Sequence, residues 1–387
     1  MDRLIRRFTA DIDADLMLTS HGIAYQADMT ITASYDEAYF DKCAGYEGQA
    51  IANRINAGRV ALVEKYTGKP GNPQSPHVLD IGVGSGEFIR ARGEGTFGYD
   101  VNPKAANRLK VDGLWRDDIH CFKAYTFWDV LEHVPEPDHY FRRMAEGSYL
   151  FTSLPIFDDL RRIRDSKHYR PGEHLYYWTE QGFIDWMALY RFRLLEVSDH
   201  ETQAGRDSIK SFAFKRDLPG YHETVGQYQE IHGRTYGASA TGLYLDLVAE
   251  QVLQAKPARI LDYGCGRSDL AAHFWRDGER TIAHYDPAIA EHKDMPAGDF
   301  DVVLCIDVME HIRMEDVEHV LTEIRRKSQR ALFVISLKPA RATLPDGRNA
   351  HVTLLTADEW LRWIGSIFRT AERVPTKWGH ALMVRTW

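Results

Sequence analysis

The sequence predicts an α/β protein made of two parallel-sheet units in tandem. Three observations carry that prediction. Strand-like apolar runs alternate with helical patterns along the whole chain, as in a parallel sheet whose strands are joined through helices. A buried-strand run closes on a glycine turn at Val78-Leu79-Asp80-Ile81-Gly82-Val83-Gly84-Ser85-Gly86, and about half the chain later the pattern returns at Arg259-Ile260-Leu261-Asp262-Tyr263-Gly264-Cys265-Gly266. The length, 387 residues, exceeds the roughly 250–300 residues at which one core stops growing. The expected domains are 1–217, with a helical and aromatic N-terminal extension, and 218–387, joined at Leu218-Pro219-Gly220.

Taken in order, Met29 to Thr32 reads as a short strand or part of a cap. The aromatic stretch around Tyr35, Tyr39, Phe40 and Tyr46 leads into Ile51, Ile55, Val60, Leu62 and Val63, spaced for an amphipathic helix that stops near Gly68-Lys69-Pro70. Strands follow the glycine turn at Thr96 to Tyr99, Tyr125 to Val130 and Tyr149 to Leu154. A polar, basic loop precedes a helix around Glu180 to Tyr190, and strands at Leu194 to Val197 and Ile209 to Phe214 close the half. The second half repeats the order: an aromatic lead-in (Tyr221, Tyr228, Tyr236), a helix over Leu243 to Leu253 and the glycine turn. Strands at Asp301 to Ile306 and Leu332 to Leu337, a helix from Ala357 to Ile364 and strands near Thr370 to Arg373 and Ala381 to Arg385 complete it. A β-hairpin is expected at each C-terminal edge.

Composition narrows the function classes. With 44% hydrophobic and 27% charged residues, the chain reads as an ordinary soluble protein. A formal charge of −8 argues against wholesale electrostatic binding to nucleic acid or an anionic membrane. The 4 cysteines lack CxxC spacing, so neither a zinc site nor a disulfide framework is expected, and no metal is assigned. Met1-Asp2-Arg3-Leu4-Ile5-Arg6-Arg7 lacks a signal-peptide core and no run reaches membrane-spanning length, so the expected location is the cytoplasm. Nothing in the sequence specifies an oligomeric state.

In an open parallel sheet, ligands bind beyond the carboxyl ends of the strands, where a glycine turn offers close backbone approach and free N–H groups. A carboxylate ending the next strand accepts from a ribose diol; Asp100 and Asp286 hold that position. A dinucleotide is the competing ligand. Its fingerprint wants a glycine where Glu87 and Asp269 stand, and an acid entering the helix there repels a pyrophosphate. A nucleoside with an amino group and no phosphate fits better.

At this point the chain resembles the class I S-adenosylmethionine-dependent methyltransferases, over most of both halves. The resemblance rests on the two glycine motifs, on Gly98-Tyr99-Asp100 and Tyr285-Asp286-Pro287, on Trp128-Asp129-Val130-Leu131-Glu132-His133-Val134 and Cys305-Ile306-Asp307-Val308-Met309-Glu310-His311-Ile312, and on Gly172-Glu173-His174-Leu175-Tyr176-Tyr177-Trp178-Thr179. It implies two Rossmann-like seven-stranded domains, each with an antiparallel last strand, and S-adenosylmethionine as cofactor with S-adenosylhomocysteine as product. Carried over by position, Asp80, Gly82, Gly84, Gly86, Asp262, Gly264 and Gly266 form the cradles, and Asp100 and Asp286 hold the ribose. The turn at Asp294-Met295-Pro296 lies at the adenine of the second half, and Trp115 to Asp118 is the weaker counterpart in the first.

Methyl transfer from a sulfonium needs alignment of the nucleophile, exclusion of water and, for some acceptors, a general base. Asp129 and Asp307 end the fourth strands, with His133 and His311 close behind; these four are the catalytic candidates, and the two aspartates also reach the cofactor edge. Glu132 and Glu310 read more simply as caps of the following turn. The run Arg161 to Arg170 follows the fifth strand, making Arg164, His168, Arg170 and His174 candidates for the acceptor. A solvated loop that pairs with acids of the other half explains the run equally well. Arg348, Asn349 and His351 occupy the matching loop of the second half, and Tyr39 and Tyr236 sit in lead-ins that serve either as lids or as packing between the halves. Neither the Asn/Asp-Pro-Pro-Tyr/Phe segment of amino-methylating DNA enzymes nor the Pro-Cys of cytosine C5 enzymes follows strand four. A small-molecule acceptor (sugar, nucleotide or metabolite) is therefore expected, and a nucleic-acid substrate is disfavoured. The contrasting class is a cofactor-binding or scaffold protein that methylates nothing.

Overall fold

The computed structural model describes residues 8, 10–33, 49–72, 74–119, 122–232, 241–267 and 281–387. The chain divides into two compact units, Met1–Leu218 and Pro219–Trp387. Among the described residues no helix is long and apolar enough to cross a membrane.

The first unit opens with three strands that the sequence patterns missed: β1 (Ala10–Asp13), β2 (Leu16–Thr19) and β3 (Ile23–Gln26). They are short, and only β2 alternates clearly, which is why they escape a periodicity search. The described Met29 to Thr32 segment forms no strand. Helix Ala50–Thr67 follows, then β4 (Val78–Ile81), helix Glu87–Arg92, β5 (Thr96–Tyr99), helix Pro103–Val111 and β6 (Ala124–Trp128). Next come β7 (Tyr149–Pro155), β8 (Tyr176–Trp178), helix Glu180–Ala188, β9 (Phe192–Ser198) and β10 (Ile209–Arg216). The main sheet has the order β5-β4-β6-β7-β10-β9, and a small antiparallel sheet has the order β1-β2-β3-β8. Strands β5, β4, β6 and β7 run parallel; β10 and β9 are antiparallel, closing the edge as the expected hairpin.

The second unit repeats the main sheet. It contains helices Tyr221–His232 and Thr241–Ala255, then β11 (Arg259–Tyr263), β12 (Thr281–Tyr285), β13 (Val302–Ile306), helix Val317–Lys327, β14 (Ala331–Ser336), helix Ala357–Ile367, β15 (Glu372–Val374) and β16 (Ala381–Arg385). Its order is β12-β11-β13-β14-β16-β15. In each unit the first sheet helix buries one face on the central strands. Leu62 and Val63 pack with Val78, Ala124 and Phe151, and Val248 and Val252 with Ile260, Val302 and Leu304.

Among the described residues each main sheet holds six strands where seven were expected. In the first unit the missing edge strand is reduced to one bridge, Gly98 to Trp115, and the charged Arg116-Asp117-Asp118 that follows gives no second face to bury. In the second unit the same stretch forms a short 3-10 turn, Ala290–His292, and then carries Pro296 and Gly298, neither of which suits a strand.

The strand tip of β5 is pinned by the helix that follows it. Asn102 caps helix Pro103–Val111, its side chain accepting from the Lys104 and Ala105 amides, while its own N–H donates to Asp100 Oδ1 at 2.7 Å. Replacing Asn102 by Ala is expected to cost about 1 kcal/mol of stability and to loosen Asp100; denaturant unfolding measures the first and nucleoside affinity the second.

Candidate active site

The two glycine turns are built alike. In the first, Gly82 has φ +75° and an added Cβ would lie 2.5 Å from Val130 Cγ2; Gly84 has φ +54° and opens onto free space. In the second, Gly264 has φ +73° with Val308 Cγ2 at 2.4 Å, and Gly266 has φ +53°. At both turns only glycine satisfies conformation and clearance together. The Gly84 N–H donates to Asp100 Oδ2 at 3.1 Å, and the Gly266 N–H to Asp286 Oδ2 at 2.8 Å. The second carboxylate oxygens accept from Asn102 and Ala288 amides. Each acid is thereby aimed, with lone pairs left over for a diol. Gly86 begins the helix after the first turn and lies behind the cavity, not on its wall.

A cavity of about 880 Å³ opens over the first turn. Its lining includes Asp80, Gly82, Gly84 and Asp100, and also Asp129, Glu132, His133, His168, Arg170 and His174. Asp80 is buried in the central strand, accepts from Thr126 Oγ1 at 2.6 Å, and is pushed up to about 7 by burial.

Asp129 ends β6 with φ +58°, a left-handed backbone that Asp tolerates better than most residues. Its carboxylate belongs to a quartet that sequence reasoning missed. Arg206 grips it through Nη1 at 2.8 Å and Nη2 at 2.9 Å, and Arg59 Nη2 donates at 2.9 Å. Arg59 also makes two bonds to Glu201, at 2.7 and 3.0 Å, and Arg206 pairs with Glu201 as well. Burial pushes the Asp129 carboxyl up, but the Arg206 and Arg59 charges prevail and hold it well below the ordinary range. Two cations and two anions balance, and the acid is committed to the arginines.

A 3-10 turn, Leu131–His133, follows β6. His133 Nδ1 bonds the Glu173 carbonyl at 2.9 Å, and the rings of His133 and His174 meet edge to face at 4.6 Å. Burial raises the Glu132 carboxyl well above its usual value, with the Asp129 charge adding to the effect. Burial, helped by His133 and Arg170, lowers His174 to about 3, so its imidazole is neutral.

The basic run is not a free cationic patch. Arg161 faces Asp11, Arg162 faces Asp165, Arg164 pairs with Asp13 at 2.6 Å, Lys167 faces Asp207 and Arg170 faces Glu173. All of these acids belong to the same unit. Arg164 is thereby held on the N-terminal strands, away from the cavity wall, whereas His168 and Arg170 are on it.

In the second unit the corresponding residues are differently employed. Asp307 also has a left-handed backbone (φ +52°), but burial pushes its carboxyl up to about 6 and Oδ1 has no hydrogen-bond partner. Tyr244 is buried beside it, edge-on to Trp378 at 4.9 Å. His311 Nδ1 bonds the Ala350 carbonyl at 2.8 Å, and burial with His351 lowers it to about 3. Asn349 braces its own loop through Ala340, and Arg348 bonds Asp346 at 2.8 Å. His351 Nδ1 is engaged with the Lys338 carbonyl at 2.6 Å. Asp262 is buried 3.5 Å from His284, and Asp294 and Met295 lie on the surface turn past β12. Of the lead-in tyrosines, Tyr228 packs on the His311 ring at 5.2 Å. Tyr39 and Tyr236 lie outside the described residues.

Comparison with known families now decides what the frame belongs to. A methyltransferase domain model matches residues 51–197 and 236–375, well over half of the chain. The chain belongs to the methyltransferase domain family. Its members are S-adenosylmethionine-dependent, and S-adenosylmethionine is the cofactor of this methyltransferase. No curated protein matches the sequence at a significant level. Among solved structures, 1,6-didemethyltoxoflavin-N1-methyltransferase of Burkholderia thailandensis, with 1,6-didemethyltoxoflavin and S-adenosylhomocysteine bound, aligns at 17% identity. That alignment covers 54% of this chain and 98% of that one, with a TM-score of 0.34. Magnesium protoporphyrin IX methyltransferase of Synechocystis PCC 6803 aligns at 16% identity over 47% of this chain and 95% of that one, with a TM-score of 0.35. The family assignment rests on the sequence match, not on these alignments.

One signal of the missed quartet is present in the methyltransferase sequence. Arg59 lies on the apolar face of its helix, four residues after Ile55 and four before Val63, where a cation needs buried partners. Removing one charge leaves the others buried and unbalanced. Glu201→Ala is expected to destabilise the first unit by about 3–5 kcal/mol, read as an early transition in thermal or denaturant unfolding. Ser211→Ala, which removes only one hydroxyl donor to Glu201, should cost far less.

Proposed function

We propose that the first unit transfers a methyl group from S-adenosylmethionine to an oxygen or nitrogen atom of a small-molecule acceptor, and that the second unit holds cofactor through its matching turn. One observation carries this reading: the glycine turn, the ribose-seeking Asp100 and the acceptor-side turn 131–133 share a single cavity of about 880 Å³, within the range of small-molecule sites. The residues fit the cofactor. Gly84 leaves open space above the backbone, Asp100 has unused lone pairs, and buried Asp80 suits a cationic amino group.

The cofactor supplies a methyl already activated on a sulfonium. What remains for the chain is to bind, orient and keep water away. In this reading Gly82 and Gly84 cradle the amino-acid moiety and Asp100 takes the ribose diol. Asp129 serves as an electrostatic anchor, not as the base, because Arg59 and Arg206 hold its lone pairs. His133 and His174, neutral through burial, line the cavity over the first glycine turn. The paired basic run argues for a small acceptor over a nucleic-acid backbone. Asp307, uncommitted and shifted toward neutrality, favours a second reading in which the second unit is catalytic too.

Calorimetric titration with S-adenosylmethionine should give two sites per chain, and Asp100→Ala and Asp286→Ala should each remove one. Each ribose bond lost is worth roughly 1.5–3 kcal/mol, so the affected site should weaken at least tenfold. Unchanged stoichiometry in both variants would overturn the ribose assignment, and no binding at all would leave the scaffold class standing.

Asp80 gives a pH signature. Its folded value is raised, so its contribution to the stability of the unliganded protein is full below the ordinary carboxylate range and is lost as pH rises through about 7. Attraction for a cationic ligand runs the other way and grows over the same interval. Cofactor affinity at the first site should therefore rise between about pH 6 and 8, and Asp80→Asn should flatten that rise.

A further inference from the structure

Beside the cofactor cradle, the first unit gathers three potential ligands that methyl transfer alone does not require. Glu132 and His133 are neighbours on the 3-10 turn, and His174 arrives from the loop between β7 and β8. One ligand atom from each lies within 4.8 Å of the others. Glu132 and His174 are 2% and 4% exposed, yet Glu132 Oε2 and His174 Nδ1 have no hydrogen-bond partner. Orphaned buried polar atoms of this kind are costly unless something else satisfies them. Both residues line the cavity.

The surroundings prepare the donors. His133 Nδ1 bonds the Glu173 carbonyl, and its Nε2 lies 3.9 Å from Glu132 Oε1. That is the outer-shell arrangement that orients a ligating imidazole. His174 Nδ1 is buried without a hydrogen-bond partner. A carboxylate beside two histidines, open on one side, matches the donor set of divalent transition-metal sites that keep positions free for substrate.

We propose that Glu132, His133 and His174 bind a divalent transition-metal ion on the acceptor side of the cavity, leaving open positions toward the acceptor. The separations are wider than in a loaded site, so the ligand atoms would draw in by about an ångström to reach bonding distances near 2.0–2.2 Å. An acceptor oxygen on such an ion would be both positioned and made more acidic. The ion site does not depend on the methyl-transfer reading, because its test reads metal and not turnover.

The second unit supplies an internal comparison. Glu310, His311 and His351 repeat the residue types, and the two rings meet at 4.8 Å. There Glu310 Oε1 accepts from the Ser336 amide at 2.7 Å, and His351 Nδ1 is engaged with the Lys338 carbonyl. Glu310 Oε2, like Glu132 Oε2, has no hydrogen-bond partner. Among the described residues, however, only Glu132, His133 and His174 gather as a candidate ligand set, and the expected stoichiometry is one ion per chain.

The test is titration of untagged, metal-stripped full-length protein with Co²⁺, followed by visible absorption and by equilibrium dialysis. One Co²⁺ per chain is expected, with ligand-field bands of a site containing nitrogen donors. His174→Ala and Glu132→Gln should each weaken binding at least tenfold, whereas His351→Ala should leave it unchanged. Circular dichroism and S-adenosylmethionine titration of the same samples report whether each variant is folded. If the alanine variant misfolds, the isosteric Glu132→Gln decides. No bound Co²⁺, binding untouched by Glu132→Gln, or binding lost only with His351→Ala would each overturn the proposal.

Discussion

The contact between Gly82 and Val130 is the constraint on which the first unit depends. A side chain at Gly82 would collide with the valine methyl at 2.5 Å, so the turn after β4 and the turn after β6 pack with no space between them. That contact sets the glycine turn and the turn after β6 at a fixed separation. Gly264 and Val308 make the same contact in the second unit. The pairing recurs in both units because tight packing leaves no cheap alternative: any larger residue must move a central strand or the turn after the third parallel strand.

On that common frame the two units distribute charge differently. Asp129 and Asp307 stand at equivalent strand ends with the same strained backbone. In the first unit two arginines and Glu201 enclose the acid and keep it ionised. In the second, Tyr244 and Trp378 occupy the neighbourhood, and burial without a cation raises the acid instead. A quartet of buried charges is a poor source of net stability, since desolvation consumes most of the attraction. Its presence beside a cavity is better explained by the rigid orientation it imposes on the cavity wall.

The acceptor side of the first unit also has a support that the sheet alone does not provide. Strands β1, β2 and β3 pair with β8, and Leu16, Leu18 and Ala24 pack with Phe157, Leu160, Ile163 and Tyr177. The loop carrying His168, Arg170 and His174 is thus clamped between two sheets, although loops of this length usually run free over the surface. Arg164, bound to Asp13, belongs to that clamp.

The sequence by itself determined the α/β class, the repeat and the two glycine turns, because these follow from local signals: apolar runs, left-handed glycines and acids at strand ends. The antiparallel last strand came from the family resemblance. The sequence named His133 and His174 as candidates, and both line the cavity over the first turn. It misjudged the strand number, since the edge position is held only by Trp115 in one unit and by a proline- and glycine-bearing turn in the other. Only the tertiary structure decided which acid is neutralised, because Arg59, Glu201 and Arg206 meet Asp129 from segments 70 to 77 residues away along the chain. It likewise decided that the basic run is spent on acids of its own unit and that Glu132 faces His174 unpartnered. Such outcomes hinge on distances of a few ångströms between remote side chains, and no periodicity along the chain encodes them.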